Sequence, residues 1–294
     1  MRGKWFFFLA VVTIGLLWLM RTPSHPQPLH EIQSPIPQNS VLGQSHDPAR
    51  CGTLICQVAW SGEVPAVKSL SMYQAKLRPG GKVEVPNPNA PKVAKNGGLT
   101  DAIVLLRGVD LKQSRPWDLH SVRVELTEQD FLIQQGDRRS RIGIVRRGNE
   151  AEFVARDDST QSARARGASF FTQMLFVKDQ PVSRMFSNAG TVELTSGSGY
   201  FWMRGYLAVS DHPYVGVSNE GGEVRFDQVP EGTYELISWK ANWHIARIER
   251  DPEWQMQASL DYAQPLEKKQ SIRVQAGQET RSVFTLQTSD FASN

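Results

Sequence analysis

The chain has 294 residues, of which 40% are hydrophobic and 21% charged, enough for one large or two ordinary domains with a real core. Its formal net charge of +3 is too small to mark a nucleic-acid binder. Two cysteines, Cys51 and Cys56, cannot build a disulfide framework.

In chain order the first readable element is a leader. Arg2 and Lys4 precede sixteen largely apolar residues, 5–20, and Arg21 follows. A basic flank and an apolar run predict an export signal with its N-terminal end kept cytoplasmic. No small-x-small cleavage site follows cleanly. Two outcomes stay open: a signal-anchor helix, residues 1–21, that tethers the protein to the periplasmic side of the inner membrane, or a cleaved peptide that leaves it secreted or periplasmic. Residues 22–50 carry six prolines and few aliphatics, the composition of a linker that cannot bury a core.

From Gly52 onward the pattern is almost all β. Alternating or short apolar runs lie at 53–60, 102–106, 121–126, 142–145, 150–155, 173–177 and 191–194. More follow at 206–209, 214–217, 223–229, 233–239, 271–275 and 282–286. Each is bounded by Gly, Pro, Asn, Asp or Ser, as strands of sandwiches and barrels are. No stretch keeps a 3.6-residue period, so helix should be scarce. Glu220-Gly221-Gly222 reads as a hairpin turn, residues 78–98 as a long Pro/Gly/Asn loop, and 238–255 as a Trp-dotted excursion between strands. Along one continuous strand Cys51 and Cys56 would lie roughly 16 Å apart, so they could pair only if Cys51 sat in a turn.

Two resemblances rest on these residues. The stretch VSNEGGEVRFDQVPEGTYELISW (217–239) resembles the core of carboxypeptidase regulatory-like, transthyretin-type (prealbumin-like) sandwiches. GTLICQVAWSGEVP (52–65) and GLTDAIVLL (98–106) resemble the earlier strands of that fold. Between them, RIGIVRRGNEAEFVARDD (141–158) and MFSNAGTVELTSGSGYFWMRGYLAV (185–209) are similar to cupredoxins. The whole resembles exported bacterial proteins that join both units. It implies an all-β chain of a cupredoxin-like barrel or sandwich at 110–209, inserted into or docked on a transthyretin-like sandwich. The sandwich would be built from 51–109 and 210–288, with a tail at 289–294.

The cupredoxin resemblance places copper-ligand positions at Ser162, Gly197, Tyr200 and Met203. A blue copper site needs two imidazoles and a thiolate, with a weak axial thioether. Of these only the Met203 thioether remains, and no histidine occurs from 121 to 211. The expectation is a degenerate site, with no metal and no cofactor. His212 and Tyr214 are expected to order the junction between the two β units.

Signatures for a nucleophile elbow, zincin, P-loop or haem attachment are absent, and no catalytic residue is expected. Residues 138–166 hold eight arginines, Arg138, Arg139, Arg141, Arg146, Arg147, Arg156, Arg164 and Arg166. They form either a solvated strand face or a surface for an acidic glycan, phosphate or partner. Trp239, Trp243, His244 and Trp254 mark 238–255 as the place to look for recognition. The expected function is a non-enzymatic, membrane-tethered envelope or binding module with a cell-envelope protein or glycan as partner. Carbohydrate binding through 238–255 is one alternative, and a redox or metal protein with a non-standard site is another.

Overall fold

Leu54, Cys56, Val58 and Trp60 alternate along TLICQVAW, and all four are buried on one side of a single long strand, as period-2 patterning requires. The computed structural model describes residues 45–73, 82–127, 130–250, 252–253 and 257–291. The leader and most of the Pro-rich stretch lie outside the described residues, as does Trp254. Gly43–Asn294 forms one compact unit. The described helices are two single 3₁₀ turns, Pro48–Arg50 and Thr288–Asp290. None is long and apolar enough to cross a membrane.

The strands begin with β1 (Cys51–Trp60), β2 (Leu70–Tyr73), β3 (Lys82–Val85), β4 (Ile103–Arg107) and β5 (Val122–Leu126). Next come β6 (Phe131–Gln135), β7 (Arg138–Ser140), β8 (Ile142–Arg146), β9 (Glu150–Ala155), β10 (Gln161–Gly167) and β11 (Phe171–Leu175). They are followed by β12 (Val182–Met185), β13 (Gly190–Ser196), β14 (Arg204–Ser210), β15 (Val215–Val217) and β16 (Glu223–Pro230). The last are β17 (Gly232–Lys240), β18 (Ile245–Arg250), β19 (Gln257–Tyr262), β20 (Leu266–Val274) and β21 (Glu279–Leu286).

Two five-stranded sheets, ordered β11-β10-β13-β14-β8 and β12-β9-β5-β6-β7, draw on residues 122–210. Phe131, Phe153, Phe186, Leu194 and Leu207 fill the space between them. A three-stranded sheet, β16-β1-β21, and a four-stranded sheet, β15-β4-β17-β20, use the chain on either side. Their core holds Leu54, Val104, Leu106, Tyr214, Phe226 and Leu236. A third cluster, with Ile103, Ile142, Ile144, Tyr206, Ala208 and Trp239, joins the outer face of β8 and β14 to the four-stranded sheet. This double duty explains why every residue of β14, RGYLAVS, is buried. Leu207 and Val209 point into one core while Tyr206 and Ala208 point into another.

Several sequence expectations need correction. The stretch 78–98 is not all loop, because KVEV alternates and forms β3 against β2 before Pro86 stops it. The turn at 219–222 forms, with the Asn219 side chain accepting from Gly221 N at 2.9 Å and Glu223 N at 3.0 Å. The flanking strands do not pair as a hairpin, however. β15 joins β4 and β16 joins β1, so the turn carries the chain from one sheet to the other. Nine of the fifteen described residues in 238–255 are strand, with β18 pairing antiparallel with β19. Polar, exposed β18 lacks the apolar alternation that signals a strand. Cys51 lies at the start of β1, in the same strand as Cys56, and both thiols are free.

Tight backbone contact requires glycine at the turn. A Cβ on Gly98 would lie 2.0 Å from the Gly221 carbonyl oxygen, and one on Gly222, at φ 83°, would lie 2.3 Å from that of Val58.

Candidate functional site

The four positions that the sequence resemblance singles out, Ser162, Gly197, Tyr200 and Met203, lie on β10, just past β13 and in the turn into β14. Gly197 N donates to the Ser162 carbonyl at 2.9 Å, and a Cβ on Gly197 would fall 2.3 Å from Ser162 Oγ. Ser162 Oγ lies 3.3 Å from Ser198 Oγ. Met203 N donates to the Tyr200 carbonyl at 3.0 Å, closing one turn around both residues. Phe201, Trp202 and Met203 are buried in the main core, with the Tyr200 and Phe201 rings edge-on to Trp202. Thus Ser162 adjoins Gly197, and Tyr200 shares a turn with Met203. A hydroxyl, a bare backbone, a phenol and a buried thioether do not fit copper, which requires imidazole and thiolate donors here. Among the described residues, no group of three or more His, Cys, Asp or Glu could hold a metal ion.

A charged residue that sequence reading passed over secures this turn. Arg204 is buried and donates from Nη1 to the carbonyls of Phe201 and Met203, both at 2.9 Å. Its Nη2 reaches the Leu260 carbonyl, its Nε lies 3.1 Å from Glu193, and its guanidinium lies 5.3 Å from the Tyr262 ring centre. The arginine therefore ties the turn to the β18–β19 hairpin. Its signal was visible as one charge inside FWMRGYLAVS, since a cation in an apolar strand must find acceptors.

His212 and Tyr214 sit between β14 and β15. Tyr214 N donates to His212 Nδ1 at 3.3 Å, while Asp211 pairs with Arg147. Burial holds the His212 imidazole below its ordinary pKa, which keeps Nδ1 free to accept. Tyr214 is fully buried. Its hydroxyl donates to the Gln228 carbonyl at 2.7 Å and accepts from Arg115 N at 3.0 Å.

Two clefts flank the contact between the five- and four-stranded sheets and share Thr191 and Trp239. One, about 490 Å³, is lined by Arg107, Asp211, His212 and Glu267 among others. The other, about 340 Å³, is walled by Tyr206, Trp239 and Tyr262, with Asn89, Arg166 and Glu193 as its polar groups. Most of those polar groups are already engaged. Asn89 Oδ1 accepts from Tyr206 Oη at 3.0 Å, and Asn89 Nδ2 donates to the Asn242 carbonyl at 2.9 Å. Tyr262 Oη, by contrast, is buried without a hydrogen-bond partner.

The tryptophans and arginines are less available than their sequence positions suggest. Trp239 packs edge-on against Tyr206, and Trp243 packs against Trp60, Phe291 and His244. Both tryptophans are buried, so neither offers an open face, because their area is worth more inside a core. The basic stretch is largely neutralised: Arg139 and Arg156 hold Glu125, Arg141 holds Asp130, Arg147 holds Asp211, and Arg166 lies 3.6 Å from Asp261. Folding brings acids from distant strands onto this face, which local charge counting could not show.

Lys240 was also missed. It is fully buried at the end of β17 and donates to the Thr100 and Asp101 carbonyls, both at 3.1 Å. Burial pushes its amine down to about 8. Against burial, Lys240 and Lys92 hold the Asp101 carboxyl below its ordinary value.

No protein-family model matches this chain, and no curated protein does either. Its similarities are to solved cupredoxins. Amicyanin from Paracoccus versutus is 20% identical over 36% of this chain and 96% of its own, with a TM-score of 0.25. A mutant amicyanin in its reduced state is 19% identical over 30% of this chain and 81% of its own, also at 0.25. The Cu-containing nitrite reductase from Thermus scotoductus SA-01 is 16% identical over 33% of this chain and 24% of its own, again at 0.25. Scores this low say nothing about the site, which rests on its own residues.

Proposed function

We propose that this chain is a non-enzymatic β-sandwich module of the cell envelope, whose cupredoxin-like part has given up copper and serves as packed scaffold. The observation that carries this is the donor set, because Ser162, Gly197, Tyr200 and Met203 supply no imidazole and no thiolate, and a Cβ on Gly197 would fall 2.3 Å from Ser162 Oγ. Arg204 supports the reading, because its bonds to Phe201 and Met203 stiffen the turn that would otherwise carry ligands. The apolar leader at 5–20 supports export, with the module tethered to the periplasmic side of the inner membrane or released there. The partner would be an envelope protein or glycan. Copper titration of the purified chain tests the central point: no stoichiometric binding and no intense thiolate-to-copper band is expected. Saturable binding of one copper with such a band would refute it.

A second reading is saccharide binding in the 340 Å³ cleft. It is favoured by the unpartnered Tyr262 hydroxyl at this cleft, which a sugar hydroxyl could satisfy. A glycan array separates the two, with Tyr262→Phe as control: loss of a glycan signal in that variant would support the cleft.

A further inference from the structure

Residues 168–177 read ASFFTQMLFV, ten positions without a charge or a proline. They include β11, which ends its sheet and, among the described residues, pairs only with β10. Gln173 and Leu175 point inward and are buried, whereas Phe170, Met174 and Phe176 point outward, exposed by 87%, 40% and 73%. Natural sheet edges are guarded by lysine, proline, bulges or a covering element. Among the described residues β11 carries none of these. β12, an edge of the facing sheet, lies alongside. Arg184 Nε donates to Gln173 Oε1 at 2.6 Å, and Met185 is exposed. Two free edges therefore lie on one side of the sandwich, and Phe170, Met174 and Phe176 project from the outer face beside one of them.

We infer that β11 pairs antiparallel with β11 of a second copy of this chain, forming a two-fold dimer with one sheet running through both. The backbone favours this register. The Ser162 carbonyl accepts from Gly197 N, so the Ser162 backbone faces β13. Met174 lies opposite Ser162 and Thr172 opposite Arg164. By the alternation of antiparallel ladders, the N–H and C=O groups of Thr172 and Met174 then point away from β10, out of the sheet. A two-fold axis at Gln173 sets Thr172 against Met174 of the second copy and Phe170 against Phe176. Every outward backbone group then finds a partner, aromatic meets aromatic across strands, and no charges oppose each other. The contact is self-complementary, as an isologous interface must be. The two phenylalanines alone offer about 300 Å² per copy at ~200 Å² for a full ring. Met174 and Val177 extend this toward the ~800 Å² per partner of a stable interface.

The test uses the full chain in mild detergent. Sedimentation equilibrium should show a dimer that Phe170→Asp and Phe176→Asp each weaken by about tenfold or more, with circular dichroism unchanged. The double variant Thr172→Cys/Met174→Cys should crosslink to a dimer under oxidation far more than either single variant, because Cys51 and Cys56 are buried. A monomeric wild-type chain, aspartate variants that associate as tightly as wild type, or crosslinking no better in the double than in the single variants would overturn the proposal. A chain that stays monomeric while another protein occupies β11 would overturn it too.

Discussion

The Tyr214 hydroxyl links the segment between β4 and β5 to β16, and removing it measures what that link is worth. Tyr214→Phe keeps the ring in its core among Leu106, Val229 and Tyr234 and removes one atom. That atom accepts from Arg115 N at 3.0 Å and donates to the Gln228 carbonyl at 2.7 Å. Both groups lose this partner at once. A buried orphan costs about 1–3 kcal/mol, and water can offset part of this where the bonds are only partly buried, as both are here. The expected loss is therefore about 2 kcal/mol, or about 4–8 °C in Tm for a domain of this size. Urea unfolding followed by tryptophan fluorescence would read it as a lower midpoint at unchanged m. Tyr214→Leu should cost about 3 kcal/mol or more, because it adds a cavity to the orphaned groups. A loss in Tyr214→Phe below ~0.5 kcal/mol, the level of a neutral surface change, would show that the hydroxyl contributes nothing to this link.

Gly98→Ala sets backbone against backbone at 2.0 Å and should cost ~3 kcal/mol or more. Gly108→Ala, with φ 89° but open space around it, should cost only about 1–2 kcal/mol in a thermal melt. Lys240 makes stability depend on pH in a stated direction. The folded chain releases this proton near 8 and the unfolded chain only near its ordinary 10.5, so between those values the unfolded state holds more protons and stability rises with pH. Burying the charged amine below pH 8 thus costs up to about 3 kcal/mol. Measured against Lys240→Met, which removes this titration, the wild type should gain most of that between pH 7 and 10. A difference that stays flat with pH would refute the assignment.

Much of the fold was legible because strands bury alternate residues. β1, β5, β9, β16 and β17 announce themselves through Leu54-Cys56-Val58, Val122-Val124-Leu126 and similar sets. Strands without that alternation were missed. β10, QSARARG, buries Gln161 and Ser162 with Ala163 and Ala165, so its inward side carries no large apolar residue, and β18, IARIER, is exposed at every position. β11 was placed two residues late, because LFV is the most apolar part of its stretch although Phe176 and Val177 face solvent.

What composition and pattern determined alone is the all-β class and the lack of an imidazole–thiolate set in 121–211. Both follow from which residue types are present and from a period of two, which are local properties. Tertiary structure decided where charge resides and which faces are free. Glu125 meets Arg139 and Arg156, Arg204 lies under the Tyr262 ring, and Lys240 is sealed against Thr100 and Asp101. Among the described residues it also left one edge of β11 unpaired. These outcomes depend on which distant strands become adjacent, and pairing partners far apart in sequence are not encoded in any local window.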